Sequence, residues 1–235
     1  MSTDWRPPPP LPPSSPERVR GALGGSLLYD QPALAAERAR LEAFIAGPEP
    51  LGVEVGFDHG MRILERARRQ PDWRWLGVEI RRARVDAAAP HAPENCLLWR
   101  ADARAVFAAL MPPGRVSLVE VYFPTPTENP RHLLWTPGFV DAVGRALAPE
   151  GRLVVVTDVE GLHHHVGALL QGWTEAEEPP AAGALSRRER VCRRDGLPVY
   201  RRCVSPPSGV EGGALAPPRG FKLRPNGDLE LVVNP

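Results

Sequence analysis

At 235 residues, 43% of them hydrophobic, the chain is long enough to bury one α/β core without disulfide or metal staples. Its formal net charge of +1 is too small for a uniformly basic nucleic-acid binder, so any field directed at RNA or DNA must come from local clusters. No stretch approaches the about 20 apolar residues of a membrane span or has the order of a signal peptide, and Cys96, Cys192 and Cys203 lack zinc or disulfide-framework spacing, so a soluble cytoplasmic protein with reduced, packed cysteines is expected.

Residues 6 to 16 run Arg-Pro-Pro-Pro-Pro-Leu-Pro-Pro-Ser-Ser-Pro. Proline removes backbone donors and fixes φ, so this segment predicts neither helix nor sheet, and residues 1–20 read as a disordered Pro-rich tail rather than a PxxP ligand. From Leu51, short apolar runs alternate with amphipathic stretches, the pattern of βαβ units around a parallel sheet. Strands are predicted at Leu51–Phe57, Trp75–Ile80, Leu97–Arg100, Val116–Phe123 and Arg152–Asp158. Helices are predicted at Met61–Arg69, Arg82–Ala89, Ala103–Leu110, Pro137–Leu147 and Gly161–Leu170. Two later runs, Glu189–Arg193 and Val199–Val204, flank Asp195-Gly196 and predict an antiparallel hairpin that closes the sheet. Residues 205–235 form a Pro- and Gly-rich extension, with a further small hairpin predicted around Asn226-Gly227.

In open parallel sheets a ligand sits at the carboxyl ends of the strands where the winding reverses. The first predicted strand runs into Glu54-Val55-Gly56-Phe57-Asp58-His59-Gly60, whose glycines allow a tight turn and close backbone approach. The second ends at Glu79, where a carboxylate can accept from both ribose hydroxyls. The third leads into Ala101-Asp102-Ala103, where Asp102 can accept from an adenine amino group. Three acids in register inside a βαβαβ frame describe S-adenosylmethionine recognition better than nicotinamide binding. Asn95, just before the third strand, reads as a turn or cap residue.

These motifs resemble those of the bacterial tRNA (guanine-N7)-methyltransferases. The likeness runs from about Leu51 to Val204 through Glu54-Val55-Gly56-Phe57-x-x-Gly60, Leu76-Gly77-Val78-Glu79-Ile80, Asp102-Ala103 and Val121-Tyr122-Phe123-Pro124-x-Pro126. It continues through Arg131-His132, Pro137-x-Phe139-Val140, Thr157-Asp158-x-Glu160 and Ser186-Arg187-Arg188-Glu189. The resemblance implies a Rossmann-like class I methyltransferase domain over residues 21–204: a mostly parallel seven-stranded sheet, helices on both faces and a C-terminal antiparallel hairpin. It implies transfer of a methyl group from S-adenosylmethionine to guanine N7 in the variable loop of tRNA by a monomer or homodimer without a metal. Glu54, Gly56, Glu79, Asp102 and Thr125 would hold the cofactor. Asn129, Arg131, His132, Asp158, Ser186 and Glu189 would line the substrate pocket, with Thr125 and Asp158 at the reacting centre.

The chain departs from the family pattern in two places. Asp58 stands where the family has glycine, a position where a short polar residue tolerates a left-handed turn. The family's F-P-D-P-W-x-K-x-R-H reads here as Phe123 to His132, with Thr125, Thr127 and Asn129 replacing the acid, the aromatic residue and the first lysine. Guanine N7 carries a free lone pair, so methylation needs no general base, and positioning alone can supply roughly 7–11 kcal/mol. A carboxylate would offset the product's positive charge, which Thr125 cannot do. A methyltransferase with a changed substrate, or a catalytically weak RNA- or cofactor-binding homologue, is therefore the alternative.

The basic residues comprise 28 arginines and one lysine, Lys222, in a chain rich in Ala, Pro and Gly, which points to GC-rich coding. Seven arginines between Arg187 and Arg202 face only Glu189 and Asp195, a patch suited to RNA phosphates. Eight more lie between Arg62 and Arg84 and are expected largely on the solvated face of a helix. His163-His164-His165 cannot all face one ion from consecutive helical positions. His132 is better placed to meet RNA phosphate or stack on a base, while Trp135 and Trp173 read as packing residues.

Overall fold

The computed structural model describes residues 5–9, 17–19, 39–129, 132–179, 185–207, 221–223 and 229–231. In chain order these contain β1 (Glu17–Val19), helix α1 (which includes residues 39–45), β2 (Leu51–Val55), α2 (Met61–Arg69), β3 (Arg74–Glu79), α3 (Arg82–Ala88) and β4 (Cys96–Arg100). There follow α4 (Ala103–Ala109), β5 (Val116–Tyr122), α5 (Pro137–Ala146), β6 (Leu147–Thr157), α6 (Glu160–Leu169) and β7 (Thr174–Glu175). The last elements are α7 (Arg187–Asp195), β8 (Tyr200–Ser205), β9 (Phe221–Leu223) and β10 (Leu229–Leu231).

Seven strands form one sheet in the order β4-β3-β2-β5-β6-β8-β7. The first five are parallel, whereas β8 pairs antiparallel with both β6 and β7. The chain winds outward from β2 to β4 and then returns to β5, which places the winding reversal between β2 and β5. The expected doubly wound architecture is present, because β2 buries all five of its residues and needs a helical layer on each face. Leu51, Val53 and Val55 face Phe107 of α4, Phe139 and Val143 of α5, and Leu162 and Val166 of α6. On the other face Trp75 and Leu118 pack against Ile63 and Leu64 of α2 and Val85 of α3.

The closing hairpin differs from the sequence expectation. Arg187–Asp195 is a helix, not a strand: Ser186 Oγ accepts from the Glu189 backbone N–H at 3.1 Å, and Gly196, at φ 64°, ends the helix in the left-handed conformation. The serine start and the glycine stop are an N-cap and an αL cap. The Asp-Gly pair that read as a hairpin turn performs the second role. The strand predicted at Val199–Val204 does form, and its edge partner is Thr174–Glu175. The C-terminal hairpin is present as an antiparallel β9/β10 pair, although Asn226-Gly227 itself lies outside the described residues.

Two pieces of the N-terminal segment, residues 5–9 and 17–19, are described. β1 joins β10 in the small second sheet. Trp5 donates from Nε1 to the Thr127 carbonyl at 3.3 Å and meets the His165 ring edge-on at 5.9 Å. Residues 10–16 of the proline run lie outside the described residues. Cys96, Cys192 and Cys203 are unpaired and buried. Asn95 donates from Nδ2 to the Ala67 carbonyl in the last turn of α2 at 2.9 Å, consistent with a capping role.

Candidate functional site

The carboxyl ends of β2, β3, β4 and β5 open onto a cleft of about 520 Å³, a size that suits a nucleoside-type ligand. The turn after β2 forms its lip. Gly56 (φ 74°), Asp58 (φ 50°) and Gly60 (φ 75°) all adopt left-handed conformations, and the space a Cβ would occupy at Gly56 is open. Glu79, 3% exposed, ties this turn to β3: its Oε2 accepts from the Asp58 backbone N–H at 3.2 Å, and its Oε1 accepts from Arg81 N and Nε at 2.9 and 3.1 Å. Asp102 caps α4, and its two carboxylate oxygens accept from Arg104 Nε and Nη2 at 3.1 and 2.8 Å. Each carboxylate oxygen has two lone pairs, so Asp102 Oδ2 retains acceptor capacity toward a ligand, whereas Glu79 Oε2 also accepts from Arg81 Nη2 at 3.3 Å and can take a ligand only where the exposed Arg81 side chain gives way.

Glu54 lies at the floor of the cleft and is 2% exposed, with Arg62 on its carboxylate. Register places it beside Glu120 on β5, and Arg62 and Arg66 reach from α2 over both carboxylates. Arg62 binds Glu120 through two contacts of 2.5 and 2.7 Å, donates to the Tyr122 hydroxyl at 2.8 Å and approaches Glu54 at 3.5 Å; Arg66 reaches Glu120 at 3.1 Å. The sequence reading put this arginine run on a solvated face, yet Arg62 and Arg66 are 2% and 1% exposed. Burial acts against the Arg62 charge, but Glu120 and Glu54 outweigh it and keep its pKa above the ordinary value. From Tyr122 the network continues through Glu178 at 3.3 Å to Arg201 at 2.9 Å, and Arg201 also binds Glu189.

Burial pushes the Glu54 carboxyl up to about 7 from 4.5, against the opposing pull of Arg62. The folded chain therefore holds a proton that an unfolded glutamate has released, and Glu54's contribution to stability falls as pH rises from about 4.5 to about 7. The melting temperature of the wild type, measured relative to Glu54→Gln, is expected to drop between about pH 5 and about pH 8. A difference that is flat or rises with pH would show that Glu54 is ionised throughout.

The far wall comes from the loops after β5 and β6 and the start of α7. Phe123 holds a left-handed φ of 49° before Pro124, a strained conformation of the kind that concentrates at functional sites. Thr125, His132, Asp158 and Ser186 line the cleft together with Glu54, Gly56, Glu79 and Asp102. Arg188 donates from Nε to Asp158 Oδ2 at 2.9 Å and from Nη2 to the same atom. Among the described residues this leaves Asp158 Oδ1 as an available acceptor.

Two expected substrate residues lie elsewhere. Glu189 is 2% exposed and is held by Arg193 and Arg201 behind the wall, because its position in the first turn of α7 points it toward β8. Asn129 is exposed and is not among the residues that line the cleft; its backbone N–H donates to Thr127 Oγ1 at 3.1 Å. Arg131 lies outside the described residues. Trp135 is buried against Phe139 with ring centroids 5.6 Å apart, and His163 stacks on Tyr200 while His165 contacts the Trp135 carbonyl. Sequence reasoning missed Arg62, Glu120, Arg81 and Arg188. A charge at Glu120 inside the apolar run Val116–Tyr122 was the available signal for the first two.

Residues 48–201 match the family described as "Putative methyltransferase". The chain is 34% identical to a tRNA (guanine-N(7)-)-methyltransferase from Leifsonia xyli subsp. xyli over 168 residues, 68% of this chain and 72% of that one. It is 29% identical to the protein of the same name from Chromohalobacter salexigens, over 66% of this chain and 68% of the other. Among solved structures, the 16S rRNA methyltransferase KamB superposes with a TM-score of 0.51 at 18% identity, covering 72% of this chain and 94% of that one, a likeness of fold alone.

Proposed function

Since the chain belongs to the bacterial tRNA (guanine-N7)-methyltransferase family, we propose that it transfers a methyl group from S-adenosylmethionine to guanine N7 of tRNA. The observation that carries this reading is the cleft itself. At the winding reversal it presents the carboxylates of Glu79 and Asp102 on one side and that of Asp158 on the other. In this reading the ribose hydroxyls take the places of the Arg81 side-chain donors on the Glu79 carboxylate, Asp102 accepts from the adenine amino group, and the Gly56 turn allows close backbone approach. When bound, S-adenosylmethionine supplies an electrophilic methyl group on a sulfonium.

The protein's part is then orientation and charge. Guanine N7 is nucleophilic without deprotonation, so no residue has to act as a base. Asp158 Oδ1 accepts from the guanine N1–H and amino edge and offsets the positive charge that develops on the ring, while Arg188 on Oδ2 fixes the carboxylate. Thr125 supplies a hydrogen bond in the same loop. The target is the variable-loop guanine, and the reaction takes place in the cytoplasm. No helix among the described residues is long and apolar enough to cross a membrane.

The test is transfer of labelled methyl to unmodified tRNA, followed by nucleoside analysis for 7-methylguanosine and mapping of the modified position. Because Thr125 is neutral where the family carries an acid, Thr125→Asp is expected to raise the rate about tenfold, on the scale of about 1.5–3 kcal/mol for a hydrogen bond to a charged group. A slow wild type accelerated by this variant would mean an impaired enzyme of the original specificity. Cofactor binding without labelled tRNA in either form would favour a changed substrate, the reading that Thr125 itself motivates.

A further inference from the structure

Three guanidiniums converge on the rim of the cleft from segments far apart in the chain. Arg84 of α3 approaches both ring nitrogens of His59, Nδ1 at 2.9 Å and Nε2 at 2.5 Å, and Arg187 at the start of α7 approaches the same Nε2 at 3.2 Å. An imidazole nitrogen offers at most one lone pair, so two cationic donors oversubscribe it. Asp58 is the carboxylate within reach, and it already receives Arg84 and Arg81 at 3.2 Å each. Arg187 is exposed and, among the described residues, makes no ion pair. With Glu79 also bound to Arg81 at 3.1 Å, three guanidiniums at the cleft mouth face two carboxylates, and the excess positive charge favours an incoming oxyanion. The side chains of His59 and Arg81 are 38% and 55% exposed. The cluster is therefore open to a macromolecule, whereas the acids at the strand ends are buried.

We infer that His59, Arg84 and Arg187, flanked by Arg81, clamp a phosphodiester of the RNA substrate beside the nucleotide that enters the cleft, an inference that rests on RNA being the substrate. A phosphate seated there would receive the Arg84 and Arg187 forks in place of the imidazole. It would bridge the Phe57–Gly60 turn to α7, joining the cofactor side of the cleft to the side that carries Asp158.

Equilibrium binding of tRNA to the full chain across a range of salt concentrations tests this, with S-adenosylmethionine affinity measured in parallel. Arg84→Gln combined with Arg187→Gln is expected to weaken tRNA binding about tenfold at low salt and to reduce the log–log salt slope by about 0.7–0.9 for each phosphate left unneutralised. Arg187→Lys, which keeps the charge, should retain the slope of the wild type. Cofactor affinity should stay within about twofold, since the RNA phosphates account for the whole electrostatic change. An unchanged slope overturns the clamp. Weakened cofactor binding with an unchanged slope also overturns it and assigns the arginines to the cofactor's carboxylate. Wild-type 7-methylguanosine formation in the same preparation separates the two readings. Product with an unchanged slope in the variant sinks the clamp alone, a reduced slope without product keeps the clamp and sinks the methylation reading, and a chain that neither binds nor methylates tRNA sinks both.

Discussion

Replacing Arg62 with methionine is expected to destabilise the fold by about 3–5 kcal/mol, because removing one partner of a buried ion pair leaves the other charge uncompensated. Arg62 is 2% exposed and binds Glu120, Glu54 and Tyr122 at once, and its guanidinium lies 3.7 Å above the Tyr122 ring centroid. The substitution would leave Glu120 facing Arg66 alone and would remove the cation that opposes the rise in the Glu54 pKa. For a chain of this size about 2–4 °C of melting temperature is lost per kcal/mol, so a drop of roughly 10 °C is expected. Joining Glu120→Leu and Arg66→Met to the same variant should recover much of the loss, since Arg66 also binds Glu120 and apolar replacement of a whole buried ionic cluster is often neutral. A single variant that melts within about 2 °C of the wild type would show that water reaches the cluster.

Glu79→Ala carries the second large effect, on cofactor affinity. A carboxylate that accepts from two ribose hydroxyls contributes about 1.5–3 kcal/mol per charge-assisted hydrogen bond, so removal of both should weaken S-adenosylmethionine binding by about 100-fold or more. Glu79 also holds the Asp58 N–H and the Arg81 side chain, so part of the effect will come from a loosened Phe57–Gly60 turn. Glu79→Gln separates the two contributions, because it keeps an acceptor for the Asp58 N–H but removes the charge. It should lose less melting temperature than Glu79→Ala while losing roughly tenfold in affinity, measured by calorimetric titration. Undiminished affinity in Glu79→Ala would place the ribose elsewhere and remove the main support for the cofactor pose.

Much of the frame is legible in the chain because it rests on local pattern. The Met61–Arg69 helix falls on its predicted bounds, and the five parallel strands overlap theirs with ends shifted by up to five residues, since short runs rich in β-branched residues such as Leu51–Val55 and Val116–Tyr122 read as buried strands. The acids at Glu54, Glu79 and Asp102 were legible for the same reason, as polar residues at or just beyond strand ends. What failed was context. Asp195-Gly196 signals a turn and a helix stop equally well, and the Ser186-x-x-Glu189 start that distinguishes them needs the helix to be recognised first. Arg62 and Arg66 looked solvated because their buried partner, Glu120, lies 58 and 54 residues away.

The sequence alone therefore determined the order of strands and helices from β2 to α6, the parallel sheet between two helical layers, and the set of acids at its carboxyl edge. Those follow from hydrophobic periodicity and chain connectivity. Only the tertiary structure decided which charges are buried and which face the cleft: Glu54 and Glu189 are held by arginines inside, while Asp158, His59 and Arg187 meet at the mouth. That sorting depends on pairing across strands and helices distant in the chain, where a compensating charge makes burial tolerable. Such partners are invisible to any reading confined to neighbouring residues.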